Sequence, residues 1–137
     1  MLKKLLVVLT SITLSMTTTA LSAKTETKQY KGYEHSGLAS WYGRQFHGKR
    51  TASGERFNMH KMTAAHKTLP LNCTVRVTNK SNGKSVVVKI TDRGPFVGNR
   101  VLDLSYGASK VLGFTEKGVA NVHIEVLDVP KKFVYKH

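Results

Sequence analysis

The stretch SVVVKITDRGPF, residues 85–96, decides the fold of this chain and carries its most informative residue. Its β-branched run has the period of two that sets Val86, Val88, Ile90 and Asp92 on one face of a strand. Arg93, Gly94 and Pro95 then end the strand and turn the chain. Three members of that face are core residues, and the fourth is an acid at the lip of an apolar surface. The chain holds only 8 Asp and Glu against 22 Lys and Arg, so a carboxylate at such a position calls for a reason. There it can be partly desolvated and still meet a ligand.

Upstream, residues 73–79 alternate in the same way and reach the first strand through residues 80–84. Asn82-Gly83 supplies the positive φ values of a tight hairpin turn. GLASWYG (residues 37–43) has strand-forming aromatics between glycines, residues 63–66 form a short strand candidate, and residues 119–129 form the last strand. Residues 44–62, rich in Gly, Ser, Asn and His, read as one long functional loop. Residues 104–112 read as a helix with Ser105 as a possible N-cap and Gly113 just beyond its end. About six short strands with one or two short helices predict a mainly β fold, a small closed barrel that leaves no exposed edge.

At 137 residues the chain allows one domain. Residues 1–23 read as a secretory signal peptide, with a basic start, an apolar stretch broken by hydroxyls, and small residues up to Ala23 for cleavage. That stretch falls short of the ~20 mostly apolar residues of a membrane span. Residues 24–36 then form a flexible leader, residues 37–129 the domain, and residues 130–137 a basic tail. The expectation is an exported monomer of the periplasm or cell envelope, or a secreted one, with no membrane anchor after cleavage.

The formal net charge of +14 favours an anionic partner such as a cell-wall polymer, a phospholipid surface or nucleic acid. A basic helix or an aromatic-interleaved basic stripe is missing, which argues against nucleic acid. Cys73, the single cysteine, has no intramolecular partner and lies on the face of Val75 and Val77, so it reads as a small buried hydrophobe. No cysteine near the cleavage site offers a lipid-attachment position. With no HExxH, no cysteine pair, and His47 and His60 too scattered for a ligand set, neither a metal nor another cofactor is expected.

Three acids are candidates for chemistry: Glu55 in the long loop, Asp92 at a strand end, and Asp103 in VLDLS. Each has a structural alternative. Asp92 could pair with Arg93 or Arg100, or accept from amides of the Gly94 turn. Asp103 could cap a helix start. His66, at the end of its short strand, could be a satisfied structural histidine. Trp41 and Tyr42 point to opposite faces of a strand, with Trp41 expected in the core and Tyr42 or Phe46 expected to wall a sugar subsite.

Together GLASWYG, FHGKRTASGERFNMHKMTAAHKTLP, VRVTNKSNGKSVVVKITDRGPF and RVLDLS closely resemble the rare lipoprotein A family over about residues 37–126. The family consists of double-psi β-barrel proteins and includes septal-ring lytic transglycosylases that act on peptidoglycan. Expansins and barrel-type endoglucanases, whose essential aspartate has a comparable setting, are similar at greater distance. By position the resemblance implies catalytic roles for Glu55, His66 and Asp92. A further family position, often aspartate, falls on Asn58, whose amide cannot act as acid or base. With Asn58, the residues Tyr42, Phe46, Arg93, Arg100 and Asp103 complete the candidate substrate-binding set.

The implied reaction cuts the β-1,4 bond between N-acetylmuramic acid and N-acetylglucosamine without water and leaves a 1,6-anhydro end. One carboxyl group, Asp92, can serve twice, first as acid and then as base. Hydrolysis would ordinarily use a second carboxylate ~5 to 9.5 Å away, for which Glu55 is the sequence candidate. The implied partner is the peptidoglycan glycan strand, and the alternative is a non-catalytic, expansin-like module that binds or loosens the wall.

Overall fold

The computed structural model describes residues 30–131. The expected signal segment, the first part of the leader and most of the basic tail lie outside the described residues. Six strands form a closed barrel: β1 (Glu34–Tyr42), β2 (Thr63–Ala65), β3 (Thr74–Asn79), β4 (Ser85–Asp92), β5 (Arg100–Ser105) and β6 (Val119–Asp128). A 3-10 turn at Arg44–Phe46 follows β1, and helix α1 (Tyr106–Leu112) follows β5. Around the barrel the order is β1, β5, β2, β4, β3, β6. The β1–β5 and β2–β4 pairs are parallel and the other pairs antiparallel.

The interior is filled by alternate residues of these strands, among them Val75, Val77, Val88, Ile90, Leu102, Leu104, Val122, Ile124 and Val126. Each buried aliphatic side chain of this size contributes about 1.5–3 kcal/mol relative to exposure. Cys73 belongs to the same cluster, and burial pushes its thiol up to about 12, so it is an inert core residue. Leu112, the last residue of α1, and Phe114 just beyond it belong to the same core.

Three sequence expectations change. The first strand starts at Glu34 rather than Gly37, because Glu34, His35 and Ser36 pair with Glu125, Ile124 and His123 of β6. Backbone hydrogen bonding, which polar side chains do not betray, covers what would otherwise be an open edge of β6. The leader therefore contributes its last residues to the barrel. The second change is at residues 104–105, which finish β5 instead of starting the helix; β5 pairs with β1 on one side and β2 on the other. Ser105 does cap α1, its hydroxyl accepting from the Ala108 amide at 3.2 Å. Asp103, two residues earlier, is a strand residue and no cap.

The third change concerns the opening stretch itself. Ala64 pairs with Ile90 but Ala65 pairs with Asp92, so Thr91 is an extra residue in β4. Thr91 is buried along with Ile90, and strict alternation ends there. A bulge of this kind bends the strand and re-aims the next side chain. Asp92 thus leaves the core face it would share with Val88 and Ile90 and comes up half-buried at the barrel mouth.

Candidate active site

The carboxylate of Asp92 is gripped on one side only. Its Oδ1 accepts from the Ala52 amide at 3.0 Å and from its neighbour's amide, Arg93, at 2.9 Å. Oδ2 accepts no hydrogen bond from any described residue. The Ala52 donor belongs to a tight turn in which the Thr51 amide donates to Glu55 O and the Gly54 amide to Thr51 O. The Ser53 amide donates to Thr91 O at 3.0 Å, so the motif TASGE is a brace whose amides meet the end of β4. From the other side the His66 amide donates to Asp92 O at 3.0 Å. The Arg93 guanidinium turns away from the acid, its Nη1 donating to the carbonyls of His66 and Leu69.

Asp92 opens onto a cleft of about 400 Å³. Trp41, Tyr42 and Phe46 line it, as do the Arg93–Val97 turn, Arg100 and Asp103. Gly94 has φ 127°, a conformation that residues with a Cβ rarely adopt, and this turn carries Phe96 to the rim with 80% of its surface exposed. On the facing strands Asp103 Oδ1 accepts from Ser40 Oγ at 2.5 Å, and Ser40 Oγ in turn accepts from Arg100 Nη1 at 2.6 Å. Arg100 lies 3.7 Å from the same carboxylate oxygen. Asp103 is therefore held in place by Ser40 and Arg100, while one oxygen of Asp92 has no partner among the described residues.

Tyr42 belongs to both acids' surroundings. Its ring packs against Phe57 at 4.5 Å and edge-on to Phe46 at 5.8 Å. Its hydroxyl is buried and has no partner among the described residues. Burial, and then the charges of Asp92 and Asp103, push the phenol up, so it keeps its proton and can only gain by donating it in a hydrogen bond.

Of the sequence candidates, Asp92, Tyr42, Phe46, Arg93, Arg100 and Asp103 meet around this cleft. The other three lie apart from it. Glu55 is half-exposed on the outer side of the brace and pairs with Lys89 of β4 at 2.6 Å. His66 is only 6% exposed, and its imidazole points to the far side: Nδ1 accepts from the Thr68 and Leu69 amides, and Nε2 meets His35 Nε2 at 3.1 Å. Asn58 uses its side-chain oxygen on the His60 amide. Trp41 departs from its expected core position, lining the cleft half-buried while its indole donates to Thr115 O at 3.0 Å. Gln45, Phe96 and Val97 were not foreseen in the sequence. Phe96 had a signal, an aromatic set directly after a strand-ending Gly-Pro turn.

The second carboxylate of the cleft is thus Asp103 and not Glu55. An acid with one anchored and one free oxygen can exchange a proton with a bound ligand. A carboxylate already committed to Ser40 and Arg100 is poorly placed to activate water. Among the described residues no three His, Cys, Asp or Glu side chains gather as a metal-ligand set.

Barrel and cleft together define a double-psi β-barrel protein with a braced acid between aromatic walls. A family model described as lytic transglycolase matches residues 34–124, and the chain belongs to this family, the rare lipoprotein A family of the resemblance. A relative from Vibrio cholerae named endolytic peptidoglycan transglycosylase RlpA is 55% identical over 104 residues, which cover 76% of this chain and 40% of that protein. The Pseudomonas aeruginosa protein of the same name is 56% identical over 98 residues, 72% of this chain and 29% of its own. The chain therefore spans less than half the length of these relatives.

Among solved structures, a Streptomyces papain inhibitor matches with TM-score 0.58 at 22% identity, over 71% of this chain and 96% of that chain. A Clavibacter michiganensis expansin matches with TM-score 0.56 at 18% identity, over 72% of this chain and 52% of that one. At such identities the likeness concerns the fold alone.

Proposed function

We propose that this protein is an endolytic peptidoglycan lytic transglycosylase that uses Asp92 as its single proton-transfer group. The observation that carries the reading is the asymmetric hold on that carboxylate at the cleft it lines, with Oδ1 fixed by two amides and Oδ2 without a partner among the described residues. Protonated Asp92 gives its proton to the glycosidic oxygen as the bond to C1 of N-acetylmuramic acid breaks. The 6-hydroxyl of the same sugar closes on C1, and its proton passes to the Asp92 carboxylate. The acid is regenerated, no water is consumed, and the product ends in a 1,6-anhydro ring.

The other residues serve this transfer. Trp41, Tyr42, Phe46 and Phe96 offer flat apolar surfaces to sugar rings. Asp103, Ser40 and Arg100 fix the opposite wall. Glu55 and His66 act as positioning residues, the first through the brace that carries the Ala52 amide and the second through the backbone of Asp92. The names of the Vibrio and Pseudomonas relatives support the reaction class. Export to the cell envelope and action as a monomer complete the proposal, on the character of residues 1–23 and the size of the domain.

The test is digestion of purified sacculi by the protein and by Asp92→Asn. Soluble anhydro-ended muropeptides that disappear with the variant are the expected result. Binding to sacculi without soluble product would overturn the proposal in favour of a non-catalytic, wall-binding module.

A further inference from the structure

Next to the cleft of Asp92 lies a second one, of about 450 Å³, lined by Tyr106, Lys110, Gly113, Thr115 and Glu116. The spacing of Tyr106, Lys110 and Gly113 puts them along one face of α1 and its C-terminal end. The two clefts share a wall. Trp41 lines the first, and its ring sits 5.5 Å from that of Tyr106 in the second. The Trp41 indole also donates to the carbonyl of Thr115, another lining residue of the second cleft. No residue of the second cleft is used in the reaction proposed above.

Its chemistry suits a sugar ring. Tyr106 provides an aromatic surface with the Lys110 ammonium 5.4 Å from its centroid, and Glu116 provides an exposed acceptor. A cation and an anion on one small rim suit a neutral, hydroxyl- and amide-bearing ligand. A phosphate or lipid headgroup would meet repulsion from Glu116. A strand cut internally must also extend beyond the reacting linkage, and Trp41 connects the two spaces.

Resting on the proposed glycan cleavage, we infer that the cleft of Tyr106, Lys110 and Glu116 is a distal subsite for the same glycan strand. It holds an N-acetylated sugar beyond Trp41 from the scissile bond. Affinity then grows with strand length, because short oligosaccharides fill the Asp92 cleft and only longer strands reach α1.

The experiment compares binding of a peptide-free tetrasaccharide of the wall repeat with binding of long peptide-free glycan strands. All proteins carry Asp92→Asn so that strands stay uncut. The parent should prefer long strands, and Tyr106→Ala should cut the ratio of long-strand to tetrasaccharide affinity about five- to tenfold, the scale of one aromatic contact. Lys110→Ala, at an exposed position that folding does not depend on, should lower the ratio in the same direction. A parent affinity that does not depend on length, or variants that leave the ratio unchanged, would overturn the subsite while leaving glycan cleavage standing. Failure of the parent to bind either glycan would overturn the underlying function and the subsite with it.

Discussion

Tyr42 ends in a hydroxyl that is buried without a partner, and a group left in that state costs about 1–3 kcal/mol. Tyr42→Phe should therefore keep or raise the melting temperature while leaving turnover on glycan within about twofold, since the hydroxyl it removes is shut off from the cleft. A loss of turnover of about tenfold would mean that the hydroxyl does reach the substrate. His66 gives a second prediction at this scale. Two amides donate to its Nδ1, so Nε2 carries the proton and donates to His35. Burial, then His35, Arg93 and Lys67, lower its pKa from 6.5 to about 4. The folded state binds this proton less readily than the unfolded state, so stability is full above pH 6.5 and falls as pH drops toward 4. The loss should reach roughly 2 to 3 kcal/mol. Denaturant melts across that range check it, and His66→Ala, though less stable at neutral pH, should show a flatter profile.

At the scale of elements, the brace at residues 51–55 and the start of α1 determine how well the barrel mouth is formed. Glu55→Gln removes the ion pair with Lys89, which is half-exposed and worth less than about 1 kcal/mol. Stability should hardly move, and activity on sacculi should fall only severalfold, since the Ala52 amide still reaches Asp92. A loss as complete as that of Asp92→Asn would instead mean that Glu55 contacts the substrate. Gly107 lets the long loop dock on α1, its amide donating to Met59 O at 2.8 Å. An added Cβ there would come within 2.5 Å of the His60 carbonyl oxygen. Gly107→Ala should cost about 2 kcal/mol or more by thermal melt, because backbone rather than a flexible side chain must give way.

Over the whole molecule, the large excess of Lys and Arg over Asp and Glu makes attraction to an anionic wall long-ranged at low salt. Binding to sacculi should weaken as the Debye length shrinks from about 10 Å at 0.1 M salt to about 3 Å at 1 M. Insensitivity to salt would deny the charge any part in targeting. Much of this architecture was legible in the chain. Alternation in β3 and β4 gave the central hairpin, although of Asn82-Gly83 only Gly83 takes the expected positive φ, at 74°, and the ordered motifs pointed to the family. Residues 34–36 and 100–105 were harder, since their strand state comes from ladders with distant partners and not from local pattern. The bulge at Thr91 and the turning away of His66 and Glu55 likewise depend on tertiary contacts. Spacing could nominate Asp92, but only the folded loop reveals that Oδ1 is braced while Oδ2 has no partner among the described residues.

The central claim is that one carboxyl, Asp92, moves a proton twice and that water takes no part. Digestion of sacculi in water enriched in heavy oxygen, followed by mass spectrometry of the soluble muropeptides, tests it directly. Products lighter by one water than the reducing-end muropeptide, with no heavy oxygen incorporated and with no such products from Asp92→Asn, are the predicted result. Reducing-end products carrying one heavy oxygen would mean hydrolysis and would contradict the account.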